Sequence, residues 1–143
     1  MDTYSFGYSS SGFTDMPMNH KVFLAQFDAI KKLASEGPCV MVGRCADYAL
    51  SEYKDCFSVF VHADTDWRIN RRSQKHNKTA KEAKDMINKT DKSRSSYYNY
   101  YTNKKWGAAS SYNLCVDSSK LGIDGAAKAI IQAIEIFDSI KNK

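Results

Sequence analysis

The sequence predicts an α/β fold in which helices flank a parallel sheet, and three observations support it. Three apolar runs, residues 39–42, 56–62 and 112–116, have the composition of buried strands. The stretches between them carry apolar residues at helical rather than alternating spacing. Those stretches are also long enough for the crossovers that parallel strands need.

With 143 residues the chain is one domain by length, large enough for a real core. The net charge is +5, but the excess is local. Residues 68–94 hold ten Lys/Arg against Glu82, Asp85 and Asp91, so the remainder is slightly acidic. Such a block suits an anionic partner, a nucleotide or a nucleic-acid backbone, and equally suits a solvated helical face. Cys39, Cys45, Cys56 and Cys115 form no C-x-x-C pair, and His20, His62 and His76 are scattered, which argues against zinc. Cys39 and Cys115 lie within apolar runs, as small hydrophobes do. With no signal-peptide pattern and no apolar run of membrane-spanning length, the expectation is a reduced, cytoplasmic protein without a membrane partner.

Residues 1–18, rich in Ser, Gly, Tyr and Met, read as a flexible head, and 19–143 as the domain. A helix starts at Asn19, places Phe23, Phe27, Ile30 and Ala34 on one face and ends at Gly37. The Cys39–Val42 strand follows, then a short helix over 46–53 and a second strand to His62. Asp64 or Thr65 caps the next helix, which breaks around residues 76–78. Thr79 and Glu82 have capping-box spacing and open a long helix toward Tyr101. After the third strand, Ile123, Ala127, Ile130, Ile134 and Phe137 mark a closing amphipathic helix.

The run GPCVMVGRCADYAL, residues 37–50, is the most informative. A buried strand that ends in Gly43 and then presents Arg44 and Asp47 is how open α/β sheets build ligand sites. The arginine fork suits a phosphate, although a surface ion pair fits the same residues. Arg68, Arg71 and Arg72 share a helical face and can converge on a polyphosphate. Asp91 and Arg94 also share a face, either as an ion pair or as a ligand pair. Tyr97, Tyr98, Tyr100, Tyr101 and Trp106 interleave with Lys104 and Lys105, which suits base stacking but more often makes a packing edge. Residues 7–14 fit a phosphate-loop pattern except that Phe13 replaces the lysine, and polar residues precede them where a strand is needed.

In order and spacing, GPCVMVGRCADYAL, SVFVHADTDWRINRR, DKSRSSYYNYYTNKKWG and YNLCVDSSKLGI together resemble the cytidylate kinase-like family of nucleoside monophosphate kinases, from about Asn19 onward. The resemblance implies a three-layer P-loop-kinase architecture. It also implies that Arg44 holds the acceptor phosphate, Asp47 positions the acceptor, and Asp91 and Arg94 contact its sugar and phosphate. Arg68, Arg71 and Arg72 would clamp the donor phosphates as catalytic arginines, with Ser118 and Ser119 beside the donor adenine. Asp47 stands three residues after Arg44, whereas standard cytidylate kinases have the aspartate directly after the arginine.

The family's opening strand, phosphate-binding loop and helix have no counterpart here, so the expectation is an incomplete or truncated kinase domain. A complete relative would transfer the γ-phosphoryl group of ATP, with Mg²⁺, to a CMP- or dCMP-type acceptor. For this chain the resemblance implies binding of nucleoside mono- and triphosphates without turnover. The alternative is a non-catalytic nucleic-acid or protein-partner module using the basic block and the tyrosines. Unpaired strand edges further predict self-association.

Overall fold

The protein is described from a computed structural model covering residues 16–142. The Gly7–Thr14 phosphate-loop look-alike and most of the 1–18 head lie outside the described residues. The fold is mixed α/β and mostly helical, and the chain divides into two compact units, Met1–Ala49 and Leu50–Lys143.

In the first unit, helix α1 spans Met16–Glu36, three residues earlier than Asn19 predicts. Pro17 fits there because first-turn N–H groups have no intrahelical partner. Phe23 and Ile30 of the expected face are buried. Helix α2, Ala46–Ala49, is shorter than expected and buries both terminal alanines. The Phe27 and Tyr48 rings join the two helices at 6.1 Å.

Between them the expected Cys39–Val42 strand does not form. The segment is non-helical and unpaired among the described residues, Cys39 is exposed, and Val40 and Val42 are 94% and 91% exposed. Strand conformation is stabilised by a neighbouring ladder, and this unit offers only helices among its described residues. Composition identified a β-capable stretch but not its partner.

The second unit contains the sheet. Strand β1, Val59–His62, pairs in parallel with β2, Leu114–Asp117, with Val59 opposite Leu114. The ladder is started by a polar clamp. Ser58 N–H donates to Asn113 Oδ1 at 2.8 Å, and Leu114 N–H donates to the Ser58 carbonyl at 3.1 Å. Among the described residues the sheet thus has two parallel strands where three were expected. β1 is half-buried at Val59 and Phe60 but exposed at Val61 and His62.

Helix α3, Thr65–His76, ends on Asn77 in the left-handed region at φ 49°. Helix α4, Ala80–Thr102, begins with the expected reciprocal Thr79–Glu82 capping box. Helix α5, Ser118–Lys141, is capped by Asp117 and kinks at Gly122, whose φ of 71° and ψ of 171° suit a residue without Cβ. It packs on β2 and β1, with its Phe137 ring 5.2 Å from Phe57. Ala126 is buried while Ile123 and Ile134 stay exposed, so part of the predicted apolar face is uncovered. Among the described residues no helix is long and apolar enough to cross a membrane.

Two carboxylates at helix starts make this fold acid-sensitive. The Thr79 backbone N–H holds Glu82 below its ordinary value of 4.5, and the Ser119 hydroxyl holds Asp117 below 3.8. A carboxyl depressed by folding stabilises above its unfolded value, and that contribution disappears as pH falls through the folded one. Glu82→Gln and Asp117→Asn should therefore each flatten the acid limb of stability below about pH 4.5, measured by chemical denaturation at stepped pH. An unchanged acid limb in both variants would contradict these caps.

Candidate functional site

In the first unit, Gly43, Arg44 and Cys45 all take left-handed backbone, with φ of 74°, 58° and 55°. For Arg44 and Cys45 this is costly, roughly 1–3 kcal/mol each, and such strain concentrates at functional turns. The turn leads straight into α2 and leaves Arg44 exposed. Cys45 is buried beneath it. Burial first, then the Asp47 carboxylate, pushes its thiol up to about 11, so it is no thiolate nucleophile at neutral pH.

In the second unit, α3 carries Arg68, Arg71, Arg72 and Lys75 at helical spacings of three, four and seven. With Trp67, and with Ile87 from α4, they line a cavity of about 200 Å³. Arg68 is held by both oxygens of Asp91, Nη2 to Oδ1 and Nη1 to Oδ2, each at 2.8 Å. The side chains are 32% and 25% exposed, a partly shielded bidentate pair tying α3 to α4.

No carboxylate lies within ion-pair distance of Arg71, Arg72 or Lys75 among the described residues. Arg71 lies over the Trp67 ring at 5.5 Å. Arg72 Nε is buried without a hydrogen-bond partner, a donor whose desolvation is not offset. The cavity is therefore cationic, with one arginine already fixed and the others able to meet an anion.

The cavity thus gathers the three predicted arginines with Asp91. Arg94, one turn further on, is exposed and does not line it. Arg44 and Asp47 belong to the first unit. Lys75 and Trp67 were missed, although extending the arginine spacing to the seventh position would have found Lys75.

Ser118 and Ser119 lie at the strand carboxyl ends, where they join the two connections. Ser118 Oγ donates to the His62 carbonyl at 3.1 Å, while Ser119 Oγ accepts the Asp64 N–H at 3.0 Å and donates to Asp117. Both hydroxyls are engaged, and Asp117 Oδ1 accepts the backbone N–H groups of Ser119 and Lys120 at the start of α5.

The tyrosine-rich segment packs. The Phe60 ring lies 5.3 Å from Trp106 and 4.9 Å from Tyr112, and Tyr98 stacks on Tyr112 at 5.9 Å. Gly107 is required beside them, since a Cβ there would come within 3.3 Å of the Phe60 ring at a φ of 76°. Trp106 thus packs on the sheet through Phe60, whereas Tyr97, Tyr100 and Tyr101 contact one another and Tyr100 stays exposed.

The strain at Arg44 is measurable. Arg44→Gly should be more stable than Arg44→Ala by about 1 kcal/mol, because glycine adopts positive φ without a Cβ clash. Equilibrium denaturation of the two variants tests this, and a more stable alanine variant would remove the strained turn from the account.

A crystal structure of an uncharacterized protein from Eubacterium ventriosum ATCC 27560 superposes with a TM-score of 0.78 at 33% identity, covering 82% of this chain and 74% of that one. No curated protein matches. The cytidylate kinase-like family matches residues 1–120, which includes the head and ends at Lys120, the third residue of α5. That match spans most of the sequence, and the chain belongs to the cytidylate kinase-like family.

Proposed function

We propose that the protein binds nucleotides as a nucleoside monophosphate kinase-like domain of P-loop-kinase type, and that the α3 cavity receives the donor phosphates. The observation that carries this reading is the cationic cavity itself, with Arg72 Nε buried and unpartnered. A polyphosphate brings several acceptor oxygens, so it can satisfy that donor and neutralise Arg71, Arg72 and Lys75 together. Arg68, whose Nη1 and Nη2 both hold Asp91, lines the edge as an anchored cation.

In the same reading Arg44 takes the acceptor phosphate on its exposed turn and Asp47 positions the acceptor; on α4 of the second unit Arg94 is an exposed cation for sugar and phosphate, and Asp91 acts through its hold on Arg68. Ser118 and Ser119 shape the turn beside the donor base, with their hydroxyls engaged inside the protein. The donor is ATP and the acceptor a CMP- or dCMP-type monophosphate. Mg²⁺ would arrive on the ATP phosphates, where it would neutralise charge on the transferring group. The α3 side chains fit phosphates rather than the metal, and the described residues contain no cluster of three metal-ligating side chains. The work of these residues is positioning and charge neutralisation.

Calorimetric titration with ATP tests the assignment. Arg72→Ala should weaken binding about tenfold or more, as expected for losing a charge-assisted hydrogen bond. Lys84→Ala, on the exposed side of α4, should leave binding nearly unchanged. The salt slope should be shallow, because a mononucleotide displaces few counterions compared with a nucleic-acid backbone. Equal losses in the two variants, or a steep slope, would favour a diffuse basic surface and overturn the assignment.

A further inference from the structure

Each arginine of the α3 cavity is held by a different device. Arg68 commits its two outer nitrogens to Asp91. Arg72 is restrained by the burial of its Nε. Arg71 is exposed and has no carboxylate within ion-pair distance among the described residues, yet it lies over the Trp67 ring at 5.5 Å. Helix geometry makes that contact. Side chains four residues apart share a face, and the Cα–Cβ bond tilts toward the helix start, so position 71 leans back over position 67.

Arg71 needs such a hold. Arg68 stands three residues before it and Lys75 four after, and like charges at those spacings repel. In the absence of an anion that repulsion favours rotamers pointing away from the cavity. A carboxylate would restrain the side chain, as Asp91 restrains Arg68, but would neutralise its charge and occupy its donors. An indole face attracts the cation through its quadrupole and leaves both untouched. Trp67 itself lines the cavity, together with the buried Ile87.

We propose that Trp67 is a positioning residue of the phosphate site. Its indole face holds the Arg71 guanidinium beside the cavity by a contact that leaves the arginine's charge and hydrogen-bond donors to the ligand. The inference rests on the assignment of the α3 cavity to phosphates, and it goes further by naming the residue that pre-orients Arg71.

Calorimetric titration with tripolyphosphate tests it, because that probe has no base to stack on the indole. Trp67→Met keeps apolar bulk on the helix without a ring face, and should weaken binding about three- to fivefold. Trp67→Phe restores an aromatic face and should recover most of that loss. In an Arg71→Gln background, Trp67→Met should weaken binding no further, since the indole acts only through Arg71. A merely structural tryptophan would weaken binding equally in both backgrounds, and that result would overturn the proposal. So would a Trp67→Met loss seen with ATP but not with tripolyphosphate, which would make Trp67 a platform for the base. Arg72→Ala separates this inference from the reading beneath it. A loss there with none in Trp67→Met removes the role of Trp67 alone, whereas no loss in Arg72→Ala removes the cavity assignment and the inference with it. If Trp67→Met does not melt cooperatively, the unmodified chain decides by NMR. The indole ring current should place the Arg71 Nε–H resonance upfield of that of Arg94, with and without tripolyphosphate, and coincident resonances would overturn the proposal.

Discussion

The parallel pairing of β1 with β2 is the constraint on which the second unit depends. Its register is set where Ser58 and Asn113 exchange hydrogen bonds across 55 residues of sequence. The pairing then brings Asp64 and Asp117 to the same end of the sheet, where α3 and α5 begin. Ser119 bonds back to Asp64, and Ser118 to His62, so the two helix starts are tied together. Everything α3 presents follows from that placement.

A second device fixes α3 along its length. Asn77 ends the helix in the left-handed region, and the Thr79–Glu82 capping box starts α4 almost at once. The two helices then lie against one another, and Asp91 grips Arg68 with both oxygens. A lone arginine on a surface helix wanders among rotamers. A bidentate partner removes that freedom before any ligand arrives, which is how a binding site lowers the entropic cost of association. Asp91, read from the sequence as a partner for a sugar, takes this anchoring role within the protein itself.

What could be read in advance divides along local and non-local lines. The capping box, the break near Asn77, the glycine after α1 and the shared face of Arg68, Arg71 and Arg72 depend on residues a turn apart. All were legible because helix geometry converts spacing directly into position. The Cys39–Val42 segment shows the limit. Its composition suits a strand, but strand formation depends on a partner that composition cannot name, and the segment stands exposed. The Arg68–Asp91 pair was equally hidden, since it links positions 23 apart through the packing of two helices. The tyrosine cluster was read as a packing edge, and Tyr98 does stack on Tyr112, while Tyr97, Tyr100 and Tyr101 contact one another and Tyr100 stays exposed.

The central claim is that the α3 face meets phosphate through Arg72. Nitrogen-detected NMR of the arginine side chains, during titration with tripolyphosphate, observes that group directly. The Arg72 Nε–H signal should shift most, with Arg71 following it. Arg94 should stay nearly still, because its side chain does not line the cavity. Equal shifts across Arg68, Arg71, Arg72 and Arg94, or a shift confined to Arg94, would contradict a built phosphate site on α3.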